Sequence, residues 1–193
     1  MIIVNLFGAS SFIEVYDNAL TEKECQIIID SFEKSEYSLG YTGGGYLPDA
    51  KKCMQTVYSF PNINPVSNIL RPSLKSCMDR YYKKYIALST IGSTFNMYDD
   101  YNIQKYEGEE DGYKAWHCEH GAEDDASKRI LAWMFYLNDA KSGTEFTYYS
   151  TINAKRGRCV IWPAGFTHTH RGVIPNKGLK YIVTGWCSLL ESK

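Results

Sequence analysis

The chain has no basic cluster, no closely paired cysteines and no long apolar run, and each shortage removes a class of function. No Lys/Arg block interrupts a formal net charge of −1, so the electrostatic footprint of a nucleic-acid binder is missing. No apolar stretch approaches the roughly 20 residues that span a bilayer, so no membrane role is expected. The six cysteines are irregularly spaced and none forms a C-x-x-C pair. That pattern favours free thiols in a reducing compartment over a disulfide framework. The opening stretch MIIVNLFGASSF lacks a positive n-region. It reads as a first strand rather than a signal peptide, and a soluble, cytoplasmic protein is the expectation. Internal repeats and low-complexity tracts are also missing. A chain of 193 residues with 44% hydrophobic content is therefore expected to form one domain with a substantial core. Within it, 1–92 would serve as helical and β support and 93–190 as a β core.

What is present is aromatic. Sixteen tyrosines and four tryptophans suit a pleated, half-buried surface. Phe12 to Tyr16 alternates as a strand. Thr21-Glu22-Lys23-Glu24 is a capping box, opening a helix to about Lys34 with Cys25, Ile28, Ile29 and Phe32 on its apolar face. From Tyr37 to Lys52 the periodicity collapses around Gly40, Gly43, Gly44, Gly45 and Pro48, which predicts a loop. A loop of that length in a small domain is a candidate lid, with a plain surface excursion as the competing reading. Pro65 to Tyr85 reads as a second helix, its stripe of Ile69, Leu70, Leu74, Cys77, Met78, Tyr81 and Tyr85 being core packing. Beyond residue 93, segments near 94–98, 101–107, 129–137, 145–150, 157–162 and 178–188 read as strands. Two helices followed by a run of short strands predict a mainly β fold. Its core would be a double-stranded β-helix, a cupin-like jelly roll, packed against N-terminal α-helices. Strand phase puts Lys180, Ile182, Thr184 and Trp186 on one face, and Ile130, Ala132, Met134 and Tyr136 on another.

His117-Cys118-Glu119 places two metal-capable side chains at i and i+2, on one side of an extended segment. His170 offers a third ligand from far along the chain, with His168 an alternative two residues earlier. Two imidazoles and one carboxylate on one face of an Fe(II) ion leave open positions for substrate and dioxygen. The same donors also suit catalytic zinc. Lys180, ten residues after His170, stands in an apolar strand where a cation is costly unless it meets an anion. Triad and lysine together suggest an iron site beside a pocket for a dicarboxylate. Asp124 and Asp125 are fallback carboxylates outside the i, i+2 geometry. His120 reads as solvated, Arg129 as a surface ion pair or an orienting group, and Cys118 as a filler pointing away from the metal. Trp116 and Trp186 read as packing aromatics, with Trp116 a candidate wall of the substrate cleft.

The order of these parts resembles the prolyl 4-hydroxylase-like branch of the 2-oxoglutarate/Fe(II)-dependent dioxygenases. The resemblance rests on Gln104-Lys105-Tyr106-Glu107-Gly108, Trp116-His117-Cys118-Glu119, Phe135-Tyr136-Leu137-Asn138-Asp139, Gly143-Thr144-Glu145-Phe146, His170 and Lys180. It covers Asn96 to Leu189 in detail and the N-terminal helices more loosely. It implies that His117, Glu119 and His170 ligate iron. It also implies that Lys180, helped by Tyr136, binds the distal carboxylate of 2-oxoglutarate, and that Tyr106 contacts this cosubstrate. Fe(II), 2-oxoglutarate and O2 follow as cofactors, with ascorbate as a candidate reductant. The implied reaction hydroxylates an unactivated C–H bond, releasing succinate and CO2. The substrate expected first is a prolyl residue in a peptide or protein, with a small molecule as alternative. Two departures stand out: the middle ligand is Glu where Asp is usual, and the Gly143 segment lacks the fuller Gly-Gly-Glu-Thr run. A non-catalytic jelly-roll binding module and another metal enzyme, such as a cupin-like isomerase or zinc hydrolase, are the competing classes. Nothing in the sequence sets an oligomeric state.

Overall fold

A computed structural model describes residues 10–91, 95–96, 100–175 and 178–190. The expected first strand within residues 1–9, residues 94, 97 and 98 of the strand expected near 94–98, and Asn176 of one expected turn lie outside them.

Among the described residues the first elements are β1 (Glu14–Tyr16) and α1 (Glu22–Glu33). The capping box forms: the Thr21 hydroxyl accepts from the Glu24 amide at 3.2 Å, and the Glu24 carboxylate accepts from the Thr21 amide at 2.7 Å. Two donors that helix geometry would otherwise orphan are thereby satisfied. Next come β2 (Ser38–Leu39), β3 (Lys51–Lys52) and β4 (Met54–Ser59). The segment read as a loop is thus pinned by short strands near both ends, and β4 has no counterpart in the sequence reading. Helix α2 (Pro65–Lys84) starts where Asn64 accepts from the Ser67 amide at 2.8 Å. Pro65 occupies the first turn, where a missing N–H costs nothing.

The β-rich half contains β5 (Phe95–Asn96), β6 (Asp100–Glu107), β7 (Gly112–Tyr113), the short helix α3 (Asp124–Ser127) and β8 (Arg129–Tyr136). It continues with β9 (Gly143–Phe146), β10 (Tyr149–Asn153), β11 (Cys159–Pro163), β12 (His170–Val173) and β13 (Leu179–Leu189). The strand expected at 145–150 is therefore a hairpin, and β12 is a strand that local sequence does not announce. An eight-stranded antiparallel sheet runs β1-β11-β8-β13-β6-β4-β2, with β5 also paired to β13. A three-stranded sheet runs β10-β9-β12, and β3 pairs with β7. Gly143 lies inside β9 rather than in a turn. A Cβ there would sit 2.2 Å from the Ile152 carbonyl oxygen, so only glycine permits this pairing.

The large sheet has two unlike faces. Leu131, Trp133, Phe135, Tyr181, Val183 and Cys187 join Ile28 and Phe32 of α1 and Leu74 and Met78 of α2 in one apolar cluster. Ala132, Met134, Tyr136 and Ile182 belong to a second cluster with Tyr106, Phe146 and Trp162. Ile130 departs from the expected phase and packs with the helix-side cluster. The β13–β8 register shifts between Cys187 and Ser188, whose partners are Leu131 and Arg129. Ile130 is the extra residue of a bulge, and a bulge reverses the alternation beyond it. Among the described residues no helix is long and apolar enough to cross a membrane.

Candidate functional site

His117 and His170 meet through their backbones before their side chains do. The His117 amide donates to the His170 carbonyl at 3.0 Å, and the His170 amide donates back at 2.8 Å. Two residues on, the Glu119 amide donates to the Ala164 carbonyl at 3.0 Å. This extended segment turns the His117 and Glu119 side chains the same way, and β12 presents His170 to them. One potential ligand atom from each residue lies within 4.8 Å of the others.

The surrounding hydrogen bonds orient the donors. His117 Nδ1 faces the Ala115 carbonyl at 3.0 Å, and His170 Nδ1 faces the His168 carbonyl at 2.9 Å. A carbonyl only accepts, so each Nδ1 carries the proton and each Nε2 keeps its lone pair. Those Nε2 atoms lie 3.8 and 3.3 Å from Glu119 Oε1. The other carboxylate oxygen, Oε2, accepts from the Trp186 indole at 2.7 Å. Burial holds the His117 imidazole down at about 4. Burial alone would raise Glu119, but the adjoining His170 and His117 rings and the Trp186 N–H outweigh it and hold the carboxyl at about 2. A neutral imidazole and an ionised carboxylate are the forms that bind a divalent cation. Two neutral nitrogen donors and one carboxylate, gathered on one side of a cavity, fit a non-haem Fe(II) ion.

Lys180 lines the same cavity of about 860 Å³ and is 3% exposed. Its ammonium has only the Val173 carbonyl at 3.4 Å and the face of Tyr106 at 4.4 Å, and no ion pair among the described residues. Burial pulls it down to about 8. Tyr136 and Tyr106 also line the cavity. The Tyr136 hydroxyl meets Thr144 Oγ1 at 2.7 Å, and the Tyr106 hydroxyl donates to Gln104 Oε1 at 2.6 Å. Burial pushes both phenols up, so both keep their protons as donors at neutral pH.

The remaining sequence candidates divide clearly. His168 stands apart from the triad: Nε2 faces the Ser11 carbonyl at 2.8 Å and Nδ1 faces Thr167 Oγ1 at 2.9 Å. His120 is exposed, with Nδ1 at 3.2 Å from the Arg129 carbonyl. Cys118 Sγ donates to the His120 carbonyl at 3.2 Å, away from the triad. Asp124 and Asp125 lie on α3, outside the ligand cluster. Trp116 is half-exposed beneath the Arg171 guanidinium. Trp186 is no mere packing aromatic, since its N–H holds Glu119. Arg129 is more than a surface charge: it donates to the Glu119 carbonyl at 3.2 Å and lies 3.7 Å over the Trp186 ring. Sequence reading missed Tyr113, which stacks on His117 with ring centroids 3.6 Å apart, and Lys51, which lines the cavity. The alternation that pairs Trp186 with Lys180 signalled the former's inward direction; no local pattern signalled Tyr113 or Lys51.

Residues 101–188 match the family model described as the 2OG-Fe(II) oxygenase superfamily. No curated protein matches the chain. Among solved structures, a viral collagen prolyl hydroxylase from Paramecium Bursaria Chlorella virus-1, in a 2OG complex, aligns with TM-score 0.69 and 18% identity over 93% of this chain and 97% of that one. A prolyl hydroxylase from Trichoplax adhaerens, bound to a peptide fragment of the hypoxia inducible factor oxygen degradation domain, aligns with TM-score 0.71 and 15% identity, covering 93% and 84%. The non-heme alpha ketoglutarate dependent epimerase SnoN of nogalamycin biosynthesis aligns with TM-score 0.63 and 13% identity, covering 94% and 78%. At these identities the likeness is one of fold. Residues 101–188 thus resemble the 2OG-Fe(II) oxygenase superfamily, and the fold is similar to that of the two prolyl hydroxylases.

Proposed function

We propose that this oxygenase hydroxylates a prolyl residue in a peptide or protein, using Fe(II), 2-oxoglutarate and O2. His117, Glu119 and His170 would hold the metal, with Lys180, Tyr136 and Tyr106 serving the cosubstrate. The observation that carries the reading is the pairing of the clustered triad with a buried, acid-free lysine in one cavity. A zinc hydrolase or a passive binding module has no need for that cation. Held by His117, Glu119 and His170, the metal would, with the cosubstrate, supply the oxidising chemistry, with one oxygen of O2 accounted for in the hydroxyl and the other in succinate, and CO2 released.

The protein's part is positioning and electrostatics. Trp186 holds Glu119 Oε2, which leaves Oε1 directed at the two imidazoles. Lys180 supplies a point charge for the distal carboxylate where little water competes. The phenol O–H groups of Tyr136 and Tyr106 would add hydrogen-bond donation once a carboxylate draws them from Thr144 and Gln104. Tyr41, Thr42 and Gly43 border the cavity, which supports a lid role for the 37–52 segment. The large and small sheets are read as the two walls of a double-stranded β-helix within one domain, with 1–92 as support and 93–190 as core. The prolyl substrate rests on the two hydroxylase neighbours; the epimerase of the same fold keeps a small-molecule substrate as the second reading.

The test is an anaerobic titration with Fe(II) and then 2-oxoglutarate, watching for a weak visible charge-transfer band. A mass screen of proline-rich peptides under O2 follows. The band, succinate release and a gain of one oxygen on proline are expected. No band would overturn the oxygenase site, and oxygen gained only by small molecules would overturn the prolyl substrate.

A further inference from the structure

Lys51 is a second buried cation in the cavity, and it is 6% exposed. It rises from β3, the strand paired with β7, and so comes from a different wall than Lys180 on β13. Its ammonium donates to Gln55 Oε1 at 2.9 Å and to the Tyr41 carbonyl at 3.1 Å. It lies 5.5 Å from the centre of the Tyr113 ring, the ring that stacks on His117. Gly40 lets the loop close over it: a Cβ there would fall 2.3 Å from Cys53 Sγ and 3.3 Å from the Lys51 side chain. Both acceptors are neutral, and an ammonium has three donors.

Among the described residues, no carboxylate is in contact with this ammonium. The Cys53 thiol, which feels both Lys51 and Lys180, is pushed up to about 11 by burial and stays neutral. Among the described residues, Glu119 is the carboxylate whose field reaches Lys51, and the proposed function commits it to the metal. With the proposed holo-site filled, the metal dication, the Glu119 carboxylate, the cosubstrate dianion and the Lys180 ammonium cancel. Arg129, another cation beside the triad, already faces Glu119, Asp125 and Glu123. Lys51 is left as a buried ammonium whose own contacts include no carboxylate, one aromatic ring from the metal ligands. An isolated cation in such a place is costly unless an anion arrives. One ammonium balances a monoanion; a phosphate dianion would leave net charge buried.

We infer that Lys51, with Gln55 and Tyr41, forms an anchor for a carboxylate on the substrate to be oxidised, distinct from the cosubstrate's own carboxylate socket at Lys180. This rests on the oxygenase reading and sharpens it: the substrate is an acid. The carboxylate would be either the α-carboxylate of the oxidised residue or an acidic side chain beside it. If Lys51 merely ties the Tyr41 loop to β4, substrate charge will not matter.

The test compares matched acid and amide probes by calorimetry on the full chain loaded with Mn(II) and 2-oxoglutarate without O2. N-acetyl-L-proline against N-acetyl-L-prolinamide reads the α-carboxylate. N-acetyl-prolyl-glutamate amide against its glutamine analogue reads the side chain. N-acetyl-leucine against its amide removes the proline. In at least one pair the acid should bind roughly tenfold more tightly, the difference made by about 1.4 kcal/mol. Lys51→Met should erase that preference and Lys51→Arg should keep most of it. Met matches the volume and removes a buried charge at the cost of two hydrogen bonds, to Gln55 and Tyr41, so a cooperative melt is recorded to show that the variant folds. Its 2-oxoglutarate affinity should stay within about twofold, less than a neutral hydrogen bond is worth. Acid and amide alike in every pair, whether bound or unbound, would overturn the anchor, as would acid preference surviving in Lys51→Met. A tenfold loss of 2-oxoglutarate affinity in that variant would move Lys51 to the cosubstrate and overturn it too. Acid preference in the leucine pair equal to that in the proline pair would leave the anchor standing and remove the prolyl reading alone.

Discussion

Along β13, Tyr181, Val183 and Cys187 enter the apolar cluster that α1 and α2 complete, while Lys180, Ile182, Thr184 and Trp186 line the cavity. The same alternation divides β8: Leu131, Trp133 and Phe135 go to the helix side, and Met134 and Tyr136 to the cavity. One face is sealed by two helices and is mostly apolar. The other keeps ammonium, carboxylate, imidazole and amide groups in a partly dry space, where each is costly until a ligand completes it. A single-residue step along either strand therefore crosses from stability to chemistry. Gly185 shows how tightly the sealed face is packed. A Cβ there would lie 2.3 Å from the Trp133 indole, so the strand gives up a side chain to admit the ring.

The contrast can be tested on either face. The largest effect is expected from His170→Ala: succinate formation without substrate falls to background and metal content drops, while thermal unfolding stays cooperative. Full turnover in that variant would remove His170 from the site. On the sealed face, Phe135→Ala deletes a ring that is 0% exposed. A loss of about 3–5 kcal/mol in urea unfolding is expected, with unchanged 2-oxoglutarate affinity in the folded fraction. A comparable loss of affinity there would mean that the two faces are not separable.

Lys180→Met should weaken 2-oxoglutarate roughly ten- to a hundredfold, the worth of a hydrogen bond to a charged group. It should not lower the melting temperature of the ligand-free protein. Calorimetry and a melt read the two outcomes, and intact affinity would refute the socket.

The smallest effect is a pH dependence carried by the same residue. Burial lowers Lys180 from its ordinary 10.5 to about 8 in the folded chain. Between those values the unfolded chain holds more protons, so this group's contribution to stability rises with pH from about 8 to 10.5. Affinity for the dicarboxylate runs the other way, falling above about pH 8 as the ammonium is lost. Lys180→Met should flatten both trends, and slopes that persist in the variant would assign them to another group.

Elements with strong local codes were legible in advance. Thr21 and Glu24 announce α1, Pro65 and an apolar stripe announce α2, and alternation announces β6, β8 and β13. His117 and Glu119 were readable together because a two-residue step in extended backbone needs no tertiary information. Strands β4 and β12 were not readable, since their residues carry mixed polarity and become strands only by pairing with β6 and β9. The bulge at Ile130 was equally hidden, because it is a mismatch between two strands rather than a property of either.

The sequence by itself determined the class of donors, the periodicity of the sheet faces and the presence of a cation in an apolar strand, because these depend on residue type and local spacing. Tertiary structure decided that His170 rather than His168 faces Glu119, that Trp186 holds the carboxylate, and that Lys51 leaves its loop to enter the cavity. Each of those is a choice among side chains of equal local standing. Only the meeting of distant backbones, first of all the hydrogen-bonded bridge between His117 and His170, can make it.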